Sequence, residues 1–295
     1  MDEQTMVDSY RVEVFSRSWP IDSPAGLVVI AHGASEHSGR YDRFATALNG
    51  AGFAAVAIDH RGHGRTGKAT GPGLMGPGGG QAVIDDLHQL RADTVAKVAD
   101  GTPVFYFGHS MGSLIGLAYL TQHSEGLAGG VLCGMAADVN EAAGTGALLQ
   151  GFADAGMRDM SAGDLLAANN AAFDPPRTPF DWLSRDEAEV DLYVADPFCG
   201  DNNPLTFGYL IDLFDVVGPA AEQLSAISCP VFLIAGDQDP AAAMGAHATA
   251  LATALTATGN EVECKLYEGA RHELLNETNR DEVTADIIAW LHAHR

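Results

Sequence analysis

A serine flanked by glycines carries the strongest chemical signal in this sequence. The pentapeptide at 108–112, GHSMG, lies between an apolar run at 103–107, which predicts a strand, and small, apolar residues at 111–119, which predict a helix. A serine on a sharp strand-to-helix turn projects its hydroxyl above the sheet, and the flanking glycines leave room for the strained backbone. The sequence therefore predicts that Ser110 is a nucleophile.

A nucleophilic serine needs a histidine base and a carboxylate that holds the base in one tautomer. The expected chain order is serine, acid, histidine, with the last two on loops after the final strands. Among eleven histidines, His272 alone follows the last predicted strand directly, so it is the expected base. Asp237 and Asp239 both follow the strand predicted at 231–235, and their spacing does not separate them. Asp239 also fits the N-cap of a helix that opens at Pro240.

Acyl transfer further requires backbone N–H groups aimed at the developing oxyanion. One donor belongs to the residue after the nucleophile, which is Met111, and the other to a loop that follows an early strand. His32-Gly33-Ala34 occupies that position after the buried strand predicted at Gly26–Ala31. The sequence therefore predicts an oxyanion hole formed by the N–H groups of Ala34 and Met111.

Strand-like and helix-like segments alternate along most of the chain, which predicts an α/β fold with a mostly parallel sheet and helices on both faces. The alternation stops over residues 134–223. We therefore expect one domain, in which residues 1–133 and 224–295 form the core and 134–223 form an inserted helical cap. Predicted strands lie at 11–15, Gly26–Ala31, Phe53–Ile58, 103–107, 127–133, 231–235 and Val262–Tyr267, and predicted helices at 41–48, 81–98, 111–119, 241–258 and 282–293.

Five ordered motifs cover the body of the chain: HGASEHSGRY at 32–41, DHRGHG at 59–64, GHSMG at 108–112, GDQD at 236–239 and YEGARH at 267–272. Together they resemble the monoacylglycerol lipases and lysophospholipase-like serine α/β-hydrolases, in their bacterial branch. The resemblance implies the α/β-hydrolase fold, with Asp239 as the acid. It also implies that Glu36 and Arg40 border a polar pocket for a glycerol headgroup. Ser35 stands where the animal enzymes usually have glycine.

The expected activity is hydrolysis of a carboxylic ester through an acyl-enzyme on Ser110, with His272 as base and Asp239 as its partner. The resemblance implies monoacylglycerols or similar single-chain lipid esters as substrates. Two alternatives stay open: an amide hydrolase of the proline iminopeptidase type, and a non-catalytic binding protein on the same scaffold. No cofactor and no metal is expected.

Two decoy motifs need a separate interpretation. GHGRTG at 62–67 has the spacing of a dinucleotide-binding loop, but residues 68–73 are expected not to form the helix that such a site needs. His32, Glu36 and His37 have the composition of a zinc motif, with one residue too many and on a loop. The sequence therefore predicts neither a nucleotide site nor a metal site here.

Charge and composition exclude several classes of protein. The 295 residues include 16 basic and 39 acidic side chains, a net charge of −23, so neither nucleic acid nor an anionic membrane surface is an expected partner. The N-terminus lacks an apolar signal segment and no run reaches about 18 apolar residues, which predicts a cytoplasmic protein without a membrane span. Without paired spacing, the cysteines are expected to be buried thiols, namely Cys133, Cys199, Cys229 and Cys264.

Overall fold

The computed structural model describes residues 1–173 and 175–295, and within them eight strands form one sheet. The sheet order is β1-β2-β4-β3-β5-β6-β7-β8, in which β3 to β8 pair in parallel and β1 and β2 pair antiparallel at one edge. This confirms the expected mostly parallel α/β fold. The strands are β1 (Asp2–Val7), β2 (Glu13–Trp19), β3 (Gly26–Ala31), β4 (Phe53–Ile58), β5 (Val104–His109), β6 (Gly129–Cys133), β7 (Val231–Gly236) and β8 (Val262–Tyr267).

Helices cover both faces of the sheet because successive side chains of a buried strand point in opposite directions. In β3, Leu27 and Val29 join a core with α3, α4, α8 and α9, whereas Val28 and Ile30 join one with α1 and α10. The helices are α1 (Asp42–Gly50), α2 (Gly67–Thr70), α3 (Gly79–Val95), α4 (Met111–His123), α5 (Ala142–Asp154), α6 (Gly163–Ala167), α7 (Glu187–Ala195), α8 (Phe207–Ala221), α9 (Ala246–Ala257) and α10 (Arg280–Ala293).

Residues 134–223 carry α5 to α8 and several short 3-10 turns between β6 and β7. Part of this segment packs against the sheet domain. The helix α8 lies against α3 and α4, and its apolar side chains belong to the same hydrophobic core as theirs. A separate small cluster forms around Phe180, Trp182 and Tyr193. The division into core and cap stays a prediction, and α8 is the portion of the predicted cap that contributes most to the sheet's own core.

The edges of several elements differ from the sequence prediction. β1 was not expected, because most of its residues are polar and exposed. It pairs with β2 through its backbone, and Met6 packs against the core while Glu3 and Gln4 contact Arg17 and Lys97. The strand predicted at 11–15 begins at Glu13 and runs on to Trp19. The helix predicted at 241–258 begins only at Ala246, after Gly245 with φ 83°, so the predicted helix start at Pro240 is wrong.

Two smaller expectations are also corrected. Residues 67–70 form one helical turn, which Gly71 ends at φ 95°, although 68–73 were expected not to be helical. Gly62 and Gly67 are positions where another part of the backbone passes too closely for a side chain. A Cβ on Gly62, for example, would lie 2.7 Å from the Leu74 carbonyl oxygen.

The expectation of four buried cysteines is corrected at one position. Cys264 is exposed because it lies on the edge strand β8, whereas the other three cysteines are buried.

No helix in the described ranges combines the length and the apolar character needed to cross a membrane.

Candidate active site

Ser110 stands alone between β5, which ends at His109, and α4, which begins at Met111. Its φ of 53° and ψ of −115° lie in a region that non-glycine residues rarely adopt. The Ser110 N–H donates to the Cys133 carbonyl at 2.8 Å, which ties the turn to the neighbouring strand β6. A strained serine held by a parallel sheet is the geometry expected of an exposed nucleophile.

The two glycines of the pentapeptide are required by close backbone approach. A Cβ on Gly108 would collide with the Gly112 carbonyl, and a Cβ on Gly112 would collide with the carbonyl of Ala31 at the end of β3. The α4 N-terminus can therefore lie directly on the sheet only because both positions lack a side chain.

We expect Gly112→Ala to be less stable than the parent by about 1–3 kcal/mol, since backbone atoms must move to accept the methyl group. The measurement is the urea unfolding midpoint. Gly144→Ala is the matched control: Gly144 lies in α5 with open space around its Cβ position. That change should instead stabilise by about 0.5–1 kcal/mol through helix propensity. Equal midpoints for the two variants would contradict this account of the turn.

Of the two candidate acids, the structure brings Asp239 to His272. The His272 Nδ1 lies 2.7 Å from the Asp239 Oδ2, and both side chains are buried. The Asp239 Oδ1 accepts the N–H groups of Ala241 and Ala242, so the turn that replaces the predicted helix start also orients the carboxylate. Asp237 instead accepts the Gly269 N–H at 2.7 Å and makes no contact with His272.

The surroundings of His272 favour its protonated form. Burial by itself lowers the pKa of this imidazole, but the Asp239 charge and hydrogen bond, together with the charges of Glu273 and Glu36, raise the pKa above its ordinary value. Such a histidine can accept a proton and keep it while a second step follows.

Aromatic rings enclose His272 on two sides. The Trp182 ring lies 4.9 Å from it and the His109 ring 4.8 Å from it, between centroids. Gly134 leaves the space for the imidazole, since a Cβ there would lie 3.3 Å from the His272 Cε1. Gly134 has φ 63°, which a glycine adopts without strain. These contacts fix the ring plane.

Ser110 and His272 line the same pocket. Within residues 1–173 and 175–295 the Ser110 hydroxyl has no hydrogen-bond partner, so it is free to meet a substrate. The polar part of its lining includes Glu36, His109 and Glu273. The apolar wall comes from the segment between β6 and β7, through Leu166, Phe180, Trp182, Leu183, Tyr193 and Pro204.

Of the two predicted oxyanion donors, Ala34 lines this pocket, and Met111 follows Ser110 at the start of α4. In the described ranges the N–H groups of Ala34 and Met111 donate no hydrogen bond. Ser35 has φ 53°, so it adopts the left-handed conformation that a glycine would favour at this position. Its carbonyl accepts the Gly200 N–H at 2.9 Å and the Tyr193 hydroxyl at 3.0 Å, which holds the loop in place.

Glu36 and Arg40 lie together beside the loop that carries the predicted donor Ala34. The Glu36 Oε1 accepts the Gly33 N–H at 2.5 Å and the Tyr41 hydroxyl at 2.8 Å, and its Oε2 accepts from Arg40 at 2.8 Å. Burial would raise the pKa of Glu36, but the charges of Arg40 and the nearby histidines and the Gly33 N–H lower it to about 2. Glu36 lines the catalytic pocket, whereas Arg40 lines a smaller adjoining cavity with Tyr41.

Sequence reasoning missed Glu273, which follows the predicted base. Arg40 donates two parallel hydrogen bonds to it, at 2.5 and 2.7 Å. The two residues are 233 positions apart, so no local pattern could have indicated the pair.

The residues with zinc-like composition take other roles. The His32 ring accepts the His60 N–H at 2.9 Å and lies 2.7 Å from the Gly33 carbonyl, and Glu36 binds backbone and Arg40. His37 instead approaches Asp196 and Cys199, with all three ligand-type atoms within 4.8 Å of one another. Both His37 ring nitrogens are already engaged there, one by the Gly39 N–H and the other by Asp196.

Comparison with known proteins indicates the family of this chain. The profile of the serine aminopeptidase S33 family matches residues 22–279. Human monoglyceride lipase is 31% identical over 285 residues, which cover 93% of this chain and 84% of that protein. Monoacylglycerol lipase from Mycolicibacterium smegmatis is 28% identical over 284 residues, which cover 93% and 91%.

Solved structures extend the likeness to three dimensions. A highly thermostable carboxyl esterase from Bacillus coagulans, in complex with glycerol, superposes with a TM-score of 0.88 at 31% identity, over 100% of this chain and 99% of that one. These matches confirm the resemblance that the five motifs indicated. The chain therefore belongs to the serine aminopeptidase S33 family and, within it, to the monoacylglycerol lipase-like α/β-hydrolases.

Proposed function

We propose that this protein hydrolyses monoacylglycerols or similar single-chain lipid esters through an acyl-enzyme. The observation that carries the proposal is the buried Asp239–His272 hydrogen bond beside a pocket that also presents Ser110. The proposal is supported by the relatives, which are named monoacylglycerol lipase or monoglyceride lipase.

In the first half-reaction, the Ser110 hydroxyl oxygen attacks the ester carbonyl carbon while His272 Nε2 takes the hydroxyl proton. The C=O π pair moves onto oxygen, and the resulting oxyanion accepts hydrogen bonds from the Ala34 and Met111 N–H groups. The imidazolium is stabilised by Asp239. As the tetrahedral intermediate collapses, the ester C–O bond breaks and His272 returns the proton to the leaving alcohol.

In the second half-reaction, water replaces the alcohol. His272 accepts a proton from water as the water oxygen attacks the acyl carbon, and the same N–H groups stabilise the second oxyanion. The bond to the Ser110 oxygen then breaks, Ser110 recovers its proton, and the fatty acid leaves. No step needs a residue outside this set.

We assign the acyl chain and the headgroup of the substrate to different parts of the pocket. The apolar wall from the 134–223 segment, which we treat as the cap, suits a single acyl chain. Glu36 and Arg40 border the headgroup end. Their polar atoms already form hydrogen bonds within the protein. We therefore expect Glu36 and Arg40 to set the shape and the electrostatic potential of this part of the pocket.

Cleavage of peptide amides is the second candidate, since the matching family is described as serine aminopeptidase S33. A substrate amine would need an unneutralised carboxylate near Ser110. Glu36 and Glu273 are both paired with Arg40. Among the described residues that line the pocket, Asp201 is the carboxylate that has no arginine partner. The pocket therefore offers one such carboxylate, and the ester reaction is preferred on the ground of the relatives, which are named monoacylglycerol lipase or monoglyceride lipase.

The test is a hydrolysis panel with p-nitrophenyl esters of increasing acyl length, monoacylglycerols, lysophospholipids and prolyl amides. We expect the highest kcat/KM on a monoacylglycerol. Higher kcat/KM on a prolyl amide than on any ester would replace the proposal by the amide reaction. No turnover of any substrate, with Ser110 unlabelled by a fluorophosphonate, would leave a binding protein as the remaining interpretation.

A further inference from the structure

The loop that carries Ala34 and the loop that carries His272 come from distant parts of the chain, and one side chain joins them. Arg40, which follows the first loop, donates to both oxygens of Glu273 at 2.5 and 2.7 Å. The same guanidinium donates to Glu36 at 2.8 Å. Because Glu36 accepts the Gly33 N–H, the path runs from the residue before Ala34 to the residue after His272 without a gap.

All three members of this path are nearly removed from solvent. The exposed fraction of the side chain is 11% for Arg40, 3% for Glu36 and 6% for Glu273. Charges this buried are tolerated only when they are paired and hydrogen-bonded. The planar fork of an arginine holds a carboxylate in one orientation, which a lysine does not do. The arrangement therefore fixes a distance between two loops and does more than neutralise charge.

We propose that Arg40 is a positioning residue. It holds the loop of the oxyanion donor Ala34 at a fixed distance and orientation relative to the loop of the base His272. This inference rests on the proposed function and adds a role beyond bordering the headgroup end of the pocket. It predicts that loss of the fork lowers kcat, because the donor and the base no longer meet the tetrahedral intermediate together.

The cluster also sets the charge beside the base. Two carboxylates and one guanidinium leave one net negative charge next to His272. The titratable groups that face His272 or surround Arg40 are Asp239 after β7, Glu36 after β3, His109 at the end of β5, Cys133 at the end of β6, Glu273, Tyr41, Tyr193 and Cys199. The pKa of His109 is lowered to about 4 by burial and by His272, so His109 is neutral near pH 7.

The sign of the expected pH effect follows from this charge. His272 must be neutral to accept the Ser110 proton, so kcat/KM falls as the pH falls through the pKa of His272. Removing the Arg40 charge leaves two uncompensated carboxylates, which raises that pKa and moves the acid limb to higher pH. Removing the Glu273 charge has the opposite effect. Each shift should be on the order of one pH unit.

The experiment measures kcat, KM and the pH profile of kcat/KM on a soluble p-nitrophenyl ester. Arg40→Lys keeps the charge and loses the fork, so we expect kcat to fall about 10- to 100-fold with an unmoved acid limb and nearly unchanged KM. Arg40→Gln should lower kcat and move the limb to higher pH, whereas Glu273→Gln should move it to lower pH. If Arg40→Gln fails to fold, the other two variants still decide.

Arg43→Gln is the matched control. Arg43 lies in α1, directly after the 3-10 turn that carries Arg40, and it also reaches the histidine loop, at the Leu275 carbonyl and Asn276, but its side chain is 48% exposed. Exposed pairs contribute little, so kcat and the profile should stay within about twofold of the parent. Shifts in one direction for both charge variants, or an Arg40→Lys variant with parental kcat, would overturn this inference. An inactive, unlabelled parent protein would instead overturn the proposed function.

Discussion

Ser110→Ala is expected to fold as the parent does and to lose on the order of 10⁴- to 10⁶-fold in kcat on a p-nitrophenyl ester. The reason is that the attacking oxygen is removed while the turn remains: alanine takes the same backbone conformation at φ 53° at no greater cost. The measurement pairs steady-state kinetics with fluorophosphonate labelling and mass mapping of the labelled peptide. The parent should carry the label at Ser110 and the variant should carry none.

Ser113→Ala provides the control for a neighbouring buried serine. Its hydroxyl donates to the Ser110 carbonyl at 2.5 Å, and it is not part of the pocket lining. This variant should keep the label and most of the activity, and lose about 1 kcal/mol of stability with the hydrogen bond. Retained turnover in Ser110→Ala would remove Ser110 as the nucleophile and with it the proposed reaction.

Asp239→Asn is expected to lose on the order of 10⁴-fold in kcat with a small change in stability. The amide oxygen still accepts the Ala241 and Ala242 N–H groups, so the turn survives. The amide nitrogen that replaces Oδ2 donates a hydrogen bond to His272 Nδ1. Nδ1 must then be unprotonated, so the proton of the neutral imidazole lies on Nε2. Nε2 can therefore no longer act as the base. Kinetics at saturating ester and a urea unfolding curve separate the two effects.

Asp237→Asn is its matched control, two residues away on the same turn. Asp237 caps the Gly269 N–H, and asparagine can do the same. We expect activity within a few-fold of the parent. Should Asp237→Asn be the slower variant, the acid of the site would have to be reassigned.

Ser110 and His272, the predicted nucleophile and base, line one pocket, and the sequence could indicate both because their signals are local. A glycine-flanked serine between a strand and a helix identifies the turn, and the order of the later motifs identifies His272. Spacing could not choose between Asp237 and Asp239, because both follow β7 closely. Only the direction of each carboxylate, set by turns that the sequence interpretation took for a helix start, separates them.

The features that were missed depend on contacts between distant segments. Glu273 gains its role from Arg40, and Trp182 from a fold that brings the 134–223 segment over His272. β1 was missed for a different reason: an exposed edge strand shows no clear apolar alternation, and its pairing with β2 cannot be recognised from its own residues.

One indole belongs both to the pocket lining and to the surroundings of the imidazole. Trp182 lines the pocket, and its ring lies 4.9 Å from the His272 ring between centroids. In the proposed reaction, a smaller side chain at this position would enlarge the pocket and also expose His272 to solvent, which weakens the burial that lowers its pKa. A substitution made there to change the acyl-chain preference should therefore change the pH profile as well.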